Sequence, residues 1–287
     1  MHHINCGSGK PLLLLHGLGG SWRSWSTVLD ALAARRNVIA VDLPGFGQTP
    51  PLPGEVSIAT LADAVTRFLD DRRIIGIDCV GSSMGARLAL ELARRDVVGA
   101  TVALDPGGFW QGWERTFFHR TIGASIVLVR WLQPWMESIT GNALGRTLLL
   151  AQLSARPWLI APGVALTEMR TFAESPSFDP LLESLVHGPP QQGVARTPNP
   201  IVIGWGRRDR VCLPRQAARA LQRFPSARLH WFDRCGHFPQ WDRPDETVRL
   251  ILQTTGDDVR IDSRAGAAHE PQPLPREPAM NHAREAS

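Results

Sequence analysis

Residues 74–93, IIGIDCVGSSMGARLALELA, constrain the fold of this chain more than any other stretch. An apolar, β-branched run ends in Gly81-Ser82-Ser83-Met84-Gly85, and an amphipathic helical pattern follows without a gap. The order strand, sharp turn, helix gives the short pattern G-x-S-x-G its meaning. Gly81 and Gly85 leave room for the turn and for close packing of the helix. Ser83 is then expected to point its hydroxyl out of the carboxyl edge of a sheet, toward the positive end of the following helix. The pentapeptide alone is equally a Gly-rich turn with an incidental serine, so the rest of the chain has to decide.

At 287 residues the chain can bury a sizeable core, as one large domain with an insertion or as two domains. No apolar run approaches the 18 or so residues of a membrane-spanning helix, so no stable membrane insertion is expected. Leu12, Leu13, Leu14 and Leu15 are too short a run for a signal-peptide core and read as a buried strand, which leads us to expect a cytoplasmic protein. The four cysteines (Cys6, Cys79, Cys212, Cys235) lie far apart without C-x-x-C spacing, which argues against a disulfide framework or a zinc site. Cys79, in the strand before the turn, reads as a small buried hydrophobe.

A net charge of +4 raises the question of nucleic acid, and its distribution answers it. The arginines occur as scattered pairs (Arg35-Arg36, Arg72-Arg73, Arg94-Arg95, Arg207-Arg208) offset by acids, with no basic stripe interleaved with aromatics, so no nucleic-acid partner is expected. Lys10 is the only lysine and precedes the first strand, which disfavours Schiff-base chemistry. Tyrosine is absent, so no mechanism can use a phenol as proton donor.

In chain order, residues 1–10 are short and polar, and 11–15 form a strand that runs into His16-Gly17-Leu18-Gly19-Gly20. A helical period covers 22–34, a strand 37–41, and the turn-rich loop Asp42-Leu43-Pro44-Gly45-Phe46-Gly47 follows. Ser57 caps a helix to about residue 70. The strand 74–80, the turn and its helix come next, then a strand over 97–104. Strands alternating with helices at this spacing predict a parallel sheet with helices on both faces, with ligands at the carboxyl ends where His16, Asp42 and Ser83 fall. From residue 106 to 197 the alternation stops, and helical patches rich in Trp, Phe, Leu and Met read as an inserted helical cap. The core resumes over 198–255 with strands at 200–205 and 228–232 and helices near 213–224 and 244–253. The expected division is core 1–105, cap 106–197, core 198–255 and a disordered Pro/Ala-rich tail 256–287.

A serine nucleophile needs a base in reach and a group that orients the base. Asp209, in Gly206-Arg207-Arg208-Asp209, falls just past a late strand, and His237, in Cys235-Gly236-His237-Phe238, falls just past the last one. Asp105 also follows a strand and competes for the acid role; the sequence favours Asp209. Only Ser83, not Ser82, fits the frame of the two glycines. His16 and Asp42 read as residues that shape their loops, and His119, His187 and His230 as surface or cap residues.

H-G-L-G-G at 16–20, D-L-P-G-F-G at 42–47, G-S-S-M-G at 81–85, G-R-R-D at 206–209 and G-H-F-P-Q-W-D at 236–242 together resemble the α/β-hydrolase superfamily over most of residues 4–255. The resemblance implies a mostly parallel doubly wound sheet with an inserted helical cap, and an oxyanion hole from the backbone N–H groups of Leu18 and Met84. Relatives commonly carry an extra hairpin before the H-G strand, so the short start implies a trimmed sheet edge or an upstream beginning. A serine nucleophile sets the chain apart from the aspartate-nucleophile branches, which include the usual epoxide hydrolases and haloalkane dehalogenases. The histidine loop is similar to that of hydrolases of ring-opened aromatic diketo acids, with Ser82 and Phe238 departing from the usual Asn and Trp. Arg87, one helical turn past Ser83, is a candidate for a substrate carboxylate or a snorkelling surface arginine. Arg87, Phe238 and Trp110 are the candidate substrate contacts. The expectation is a serine esterase or thioesterase for a fairly apolar small molecule, with no metal or organic cofactor. The alternatives are cleavage of a carbon–carbon bond beside a ketone, or a non-catalytic binding protein on the same fold.

Overall fold

The computed structural model describes residues 1–256. The disordered-tail expectation concerns residues that, from 257 onward, lie outside this range. Seven strands form one sheet: β1 His3–Cys6, β2 Pro11–Leu15, β3 Asn37–Val41, β4 Asp78–Ser82, β5 Thr101–Leu104, β6 Ile201–Gly206 and β7 Arg228–Phe232, in spatial order β1-β3-β2-β4-β5-β6-β7. All neighbours are parallel except β1, which runs antiparallel to β3.

Such a sheet must be covered on both faces, and β2 shows how the sequence achieves this. Leu12, Leu13, Leu14 and Leu15 are all fully buried, with Leu13 and Leu15 in one core cluster and Leu12 and Leu14 in the other. Each such side chain contributes roughly 1.5–3 kcal/mol relative to exposure. On the first face pack α2 (Ile58–Asp71), α3 (Met84–Arg94) and α9 (Gln216–Arg223); on the second, α1 (Leu29–Ala33) and, after the short α10 (Pro239–Asp242), α11 (Pro244–Thr254). Ser57 caps α2 through a reciprocal hydrogen bond with Thr60, as the sequence predicts.

The structure corrects the sequence reading at four places. Residues 3–6 are not a bare polar lead but an edge strand whose Ile4 packs against the second core cluster. A four-residue half-exposed strand has too little periodicity to be seen in the sequence. The strand ahead of Ser83 begins at Asp78, not residue 74: Gly76 adopts φ +85° and Ile77 N–H turns back to the Ile74 carbonyl. The next strand begins at Thr101, not residue 97, since Gly99 N–H is drawn to the Ile77 carbonyl. The helix expected over 22–34 splits into a 3-10 turn Trp22–Trp25, capped by Ser21, and the short α1. Ser and Thr in between offer side-chain bonds that compete with a continuous helix.

Between β5 and β6 the described residues form no strand. They form α4 (Glu114–Trp131), α5 (Met136–Gly141), α6 (Ala143–Leu150), α7 (Pro162–Glu174) and α8 (Phe178–His187), with 3-10 turns at Gln133–Trp135 and Pro157–Leu159. This helical insertion is tied to the loops at the carboxyl ends of the strands. Ser175 Oγ donates to the Gly19 carbonyl, Ser177 N–H to the Gly45 carbonyl and Ser24 Oγ to Glu168 on α7. Glu168 is fully buried with that hydroxyl, and burial pushes its carboxyl up to about 7.

Between the ordinary value of 4.5 and about 7, folded Glu168 keeps a proton that the unfolded chain has lost. Stability therefore falls as pH rises through this window, by about 3 kcal/mol at most. We expect Glu168→Gln to raise the urea midpoint clearly near pH ~8 and much less near pH ~4.5, read as the difference from wild type. Equal midpoint differences at both pH values would contradict this account of Glu168.

Candidate functional site

Ser83 sits between the last residue of β4 and the first of α3, with φ 57° and ψ −114°. Its side chain makes no capping bond to the helix, so the hydroxyl is presented outward instead. The turn is tight enough to exclude any side chain at Gly85: a Cβ there would lie 2.2 Å from the Leu15 carbonyl oxygen. Gly206 does the same for the two other loops, since its Cβ would lie 2.0 Å from the Gly236 carbonyl oxygen. The backbones that carry Asp209 and His237 therefore pack directly on each other.

The three side chains form one hydrogen-bonded row. Ser83 Oγ lies 2.7 Å from His237 Nε2, and His237 Nδ1 lies 2.9 Å from Asp209 Oδ2. A carboxylate beyond Nδ1 fixes the proton on that nitrogen and leaves the Nε2 lone pair facing the serine hydroxyl. Asp209 is oriented in turn by the N–H groups of Val211 and Cys212, which donate to its Oδ1. His237 and Asp209 are both buried.

Asp105, the other acid at a strand end, occupies a different place. Its Oδ1 accepts the Gly206 N–H. Burial, the neighbouring Asp209 charge and a hydrogen bond with Asp209 push its carboxyl well above the usual carboxylate range. Two buried carboxyls side by side disfavour ionisation of the one with less support, and Asp105 has a single N–H donor where Asp209 has His237 and two N–H groups. Asp105 thus stands beside Asp209 with a carboxyl held toward its neutral form, away from His237.

The other histidines and acids shape their surroundings. His16 accepts the Leu43 N–H at Nε2 and donates from Nδ1 to the Gly17 carbonyl, and burial lowers its pKa to about 4. It is a neutral strut between the 16–20 and 42–47 loops. Asp42 accepts from Trp22 N–H, Gln48 N–H and the His2 ring. Ser82 is turned away, its hydroxyl bonded to Gln240 Nε2. His119 and His187 pair with Glu183, and His230 with Glu246.

Ser83 opens on a cavity of about 330 Å³ between the sheet edge and the insertion. Leu18, Met84, Arg87, Trp110 and Phe238 all line it, so the residues expected to contact substrate do meet there. The walls are otherwise mostly apolar, with Ser125 and Gln152 as further polar side chains. Arg87 is a buried cation: Nη2 and Nη1 donate to the Pro189 and Leu185 carbonyls, Nε has no partner, and the guanidinium lies 5.7 Å from the Trp110 ring. Burial lowers its pKa to about 10, against the pull of Glu91. Asp209, Cys212 and His237 also bring possible metal-ligand atoms within 4.8 Å of one another. They fit a metal poorly, because Asp209 is spent on three hydrogen bonds and burial drives the Cys212 thiol far from ionisation.

Two supporting groups were not read from the sequence. Asp242, in the quoted Q-W-D, accepts the Gly236 N–H and the Ala155 N–H and so fixes the histidine loop. The carbonyl of Leu153, on the insertion, accepts the His237 N–H. A main-chain acceptor from a distant turn leaves no signature in a sequence.

The model of the alpha/beta hydrolase family matches residues 12–250. The chain belongs to that family. Among its curated relatives, a 2-hydroxy-6-oxononadienedioate/2-hydroxy-6-oxononatrienedioate hydrolase of Dechloromonas aromatica is 26% identical over 88% of this chain and 89% of its own length. The dihydrolipoyllysine-residue acetyltransferase component of the acetoin cleaving system of Cupriavidus necator is 29% identical over 87% of this chain, which spans 64% of that protein. Among solved structures, a thermophilic esterase from Thermogutta terrifontis superposes with a TM-score of 0.70 at 19% identity, covering 88% of this chain and 91% of the esterase. That likeness is one of fold.

The close approach at the turn carries its own prediction. Gly85→Ala forces a methyl against the Leu15 backbone and is expected to cost about 1–3 kcal/mol or more in urea unfolding. An unchanged midpoint would show that the turn is looser than described.

Proposed function

We propose that the chain is a serine hydrolase cleaving a carboxylic ester or thioester of a fairly apolar small molecule through an acyl-enzyme. The observation that carries this reading is the row Ser83–His237–Asp209 opening on a largely apolar cavity. In this scheme His237 Nε2 takes the Ser83 proton as Oγ attacks the substrate carbonyl. The oxygen's developing charge is met by the N–H groups of Leu18 and Met84, and the imidazolium by Asp209. The tetrahedral adduct collapses, His237 hands its proton to the departing alkoxide or thiolate, and the acyl group stays on Ser83. Water deprotonated by His237 then releases the acid and restores the hydroxyl. The scheme uses only groups of the chain and water. Residues 106–197 act as a cap over this site, with 1–105 and 198–255 as the core. The four unpaired cysteines fit a reducing compartment such as the cytoplasm.

A second reading is cleavage of a carbon–carbon bond beside a ketone, favoured by the names of several relatives, among them that of Pseudomonas putida at 28% identity. Those names describe dioates, acids with two carboxylates. The cavity here has one cationic side chain on its wall, and two of its three nitrogens already serve main-chain carbonyls. The Arg87 guanidinium can serve at most one negative end of a substrate; a second carboxylate would lie against mostly apolar walls at a cost of several kcal/mol. The ester reading therefore stands first. A binding protein on the same fold has no use for the complete hydrogen-bonded row.

Ser83→Ala is expected to lower hydrolysis of p-nitrophenyl butyrate on the order of 10⁴-fold or more, with an unchanged unfolding midpoint. Full activity in this variant would end the mechanism. On the same ester, Asp209→Asn is expected to lose on the order of 10³–10⁴-fold, whereas Asp105→Asn, which keeps a donor toward Asp209, stays within about tenfold of wild type. The reverse order would make Asp105 the orienting acid. A panel pairing esters of several acyl lengths with a vinylogous diketo acid separates the two reactions.

A further inference from the structure

The helical insertion exposes an unusual set of side chains. Val127, Leu128, Trp131, Trp135, Leu144 and Leu148 are all exposed, Leu148 to 73% and Trp131 to 65%. Scattered apolar residues on a surface mean little, but a contiguous patch does. These are contiguous. Val127 and Trp131 lie one helical turn apart on α4, Trp131 and Trp135 bring their rings to 5.5 Å, and Leu144 and Leu148 are one turn apart on α6. Leu128 and Leu148 close the ring, because both line the cavity that holds Ser83. They are the two exposed residues of that lining, the others being buried or half-buried. The mouth of the cavity therefore opens in the middle of the apolar patch.

This position decides between kinds of occupant. A second copy of the chain or another folded protein seated on the patch would cover Leu128 and Leu148 and stopper the cavity. A lipid surface would instead deliver apolar molecules to the mouth. The charges point the same way. From Arg115 to Met136 the chain carries three arginines (Arg115, Arg120, Arg130) and no acidic residue; Arg130 is paired with Asp179 and Glu137 follows, so Arg120 is the cation that counts. Arg120 is exposed and lies seven residues before Val127 and eleven before Trp131, on the same face of α4. Exposed tryptophans with a basic residue at the rim suit the headgroup region, where the rings sit among the first acyl carbons and the cation meets anionic phosphate.

We infer that this face docks on an anionic lipid surface, so that the ester enters the cavity from the lipid phase without crossing water. The entry of an ester rests on the hydrolase reading above; the docking does not. Docking is peripheral, since among the described residues no helix is long and apolar enough to cross a membrane. It also gives a reason for the apolar exposure, which otherwise invites aggregation.

The test is flotation of the full chain with vesicles of phosphatidylcholine and phosphatidylglycerol in equal parts, beside vesicles of phosphatidylcholine alone. Wild type is expected to float with the anionic vesicles and more weakly with the neutral ones. The double variant Trp131→Glu, Leu144→Glu, neither residue lining the cavity, is expected to lose vesicle binding about tenfold or more while its kcat/KM on soluble p-nitrophenyl acetate is unchanged. Failure of wild type to float, or equal flotation of the double variant, overturns the inference. So does a wild-type dimer in size-exclusion chromatography that the double variant dissociates, which would give the face to a second copy. Flotation is read without turnover, so an inactive Ser83 would sink the hydrolase reading and leave this one standing.

Discussion

The positive φ of Ser83 is the constraint on which the site depends. A non-glycine residue held there costs roughly 1–3 kcal/mol, and it persists only where the surroundings over-determine it. Here they do so through main chain: β4 is fixed between β2 and β5, and α3 presses Gly85 onto the Leu15 carbonyl. With the backbone fixed, the hydroxyl leaves the helix start and meets His237. The other two loops are fixed in the same manner at Gly206 against Gly236. Geometry in this site is set by backbone packing, and the side chains fall into hydrogen-bond range as a result.

Charge is arranged by burial to the same end. His16 is kept neutral, the Asp105 carboxyl is pushed toward its neutral form, and Asp209 is the buried acid that accepts the His237 Nδ1–H. The pair Asp105–Asp209 gives two like residues two places, one on the Gly206 N–H and one on the His237 ring. Arg87 is the exception, a buried guanidinium on the cavity lining whose Nη atoms donate to main-chain carbonyls while Nε has no partner. Elsewhere the cavity is mostly apolar, which weakens competition from water and strengthens every dipole aimed into it.

Much of this was legible in the sequence, for identifiable reasons. Three glycine-bearing turns at strand ends can be read because only glycine tolerates the close approaches at residues 81–85, 206 and 236. The leucines of β2 can be read because both faces of a parallel strand are buried. The edge strand at His3–Cys6 was not, since half-exposed HINC has neither run nor alternation. The start of the strand before Ser83 was misplaced because Ile74 and Ile75 look like strand residues while Gly76 turns the chain. Asp105 and Asp209 both follow strands, so the preference for Asp209 rests on the expected roles of the row, and the approach of His237 is what separates the two in space. Least legible was the insertion: its exposed Trp and Leu residues carry the same helical period as a packed face.

The central claim is that Ser83, with His237 as its base, is a nucleophile toward acyl-type electrophiles. The most direct measurement is reaction with a fluorophosphonate probe, followed by peptide mass spectrometry. The account predicts one adduct, on Ser83, formed at a rate that falls by orders of magnitude in His237→Ala. An intact protein that stays unlabelled, or a label that settles on another residue at an unchanged rate in that variant, would contradict it.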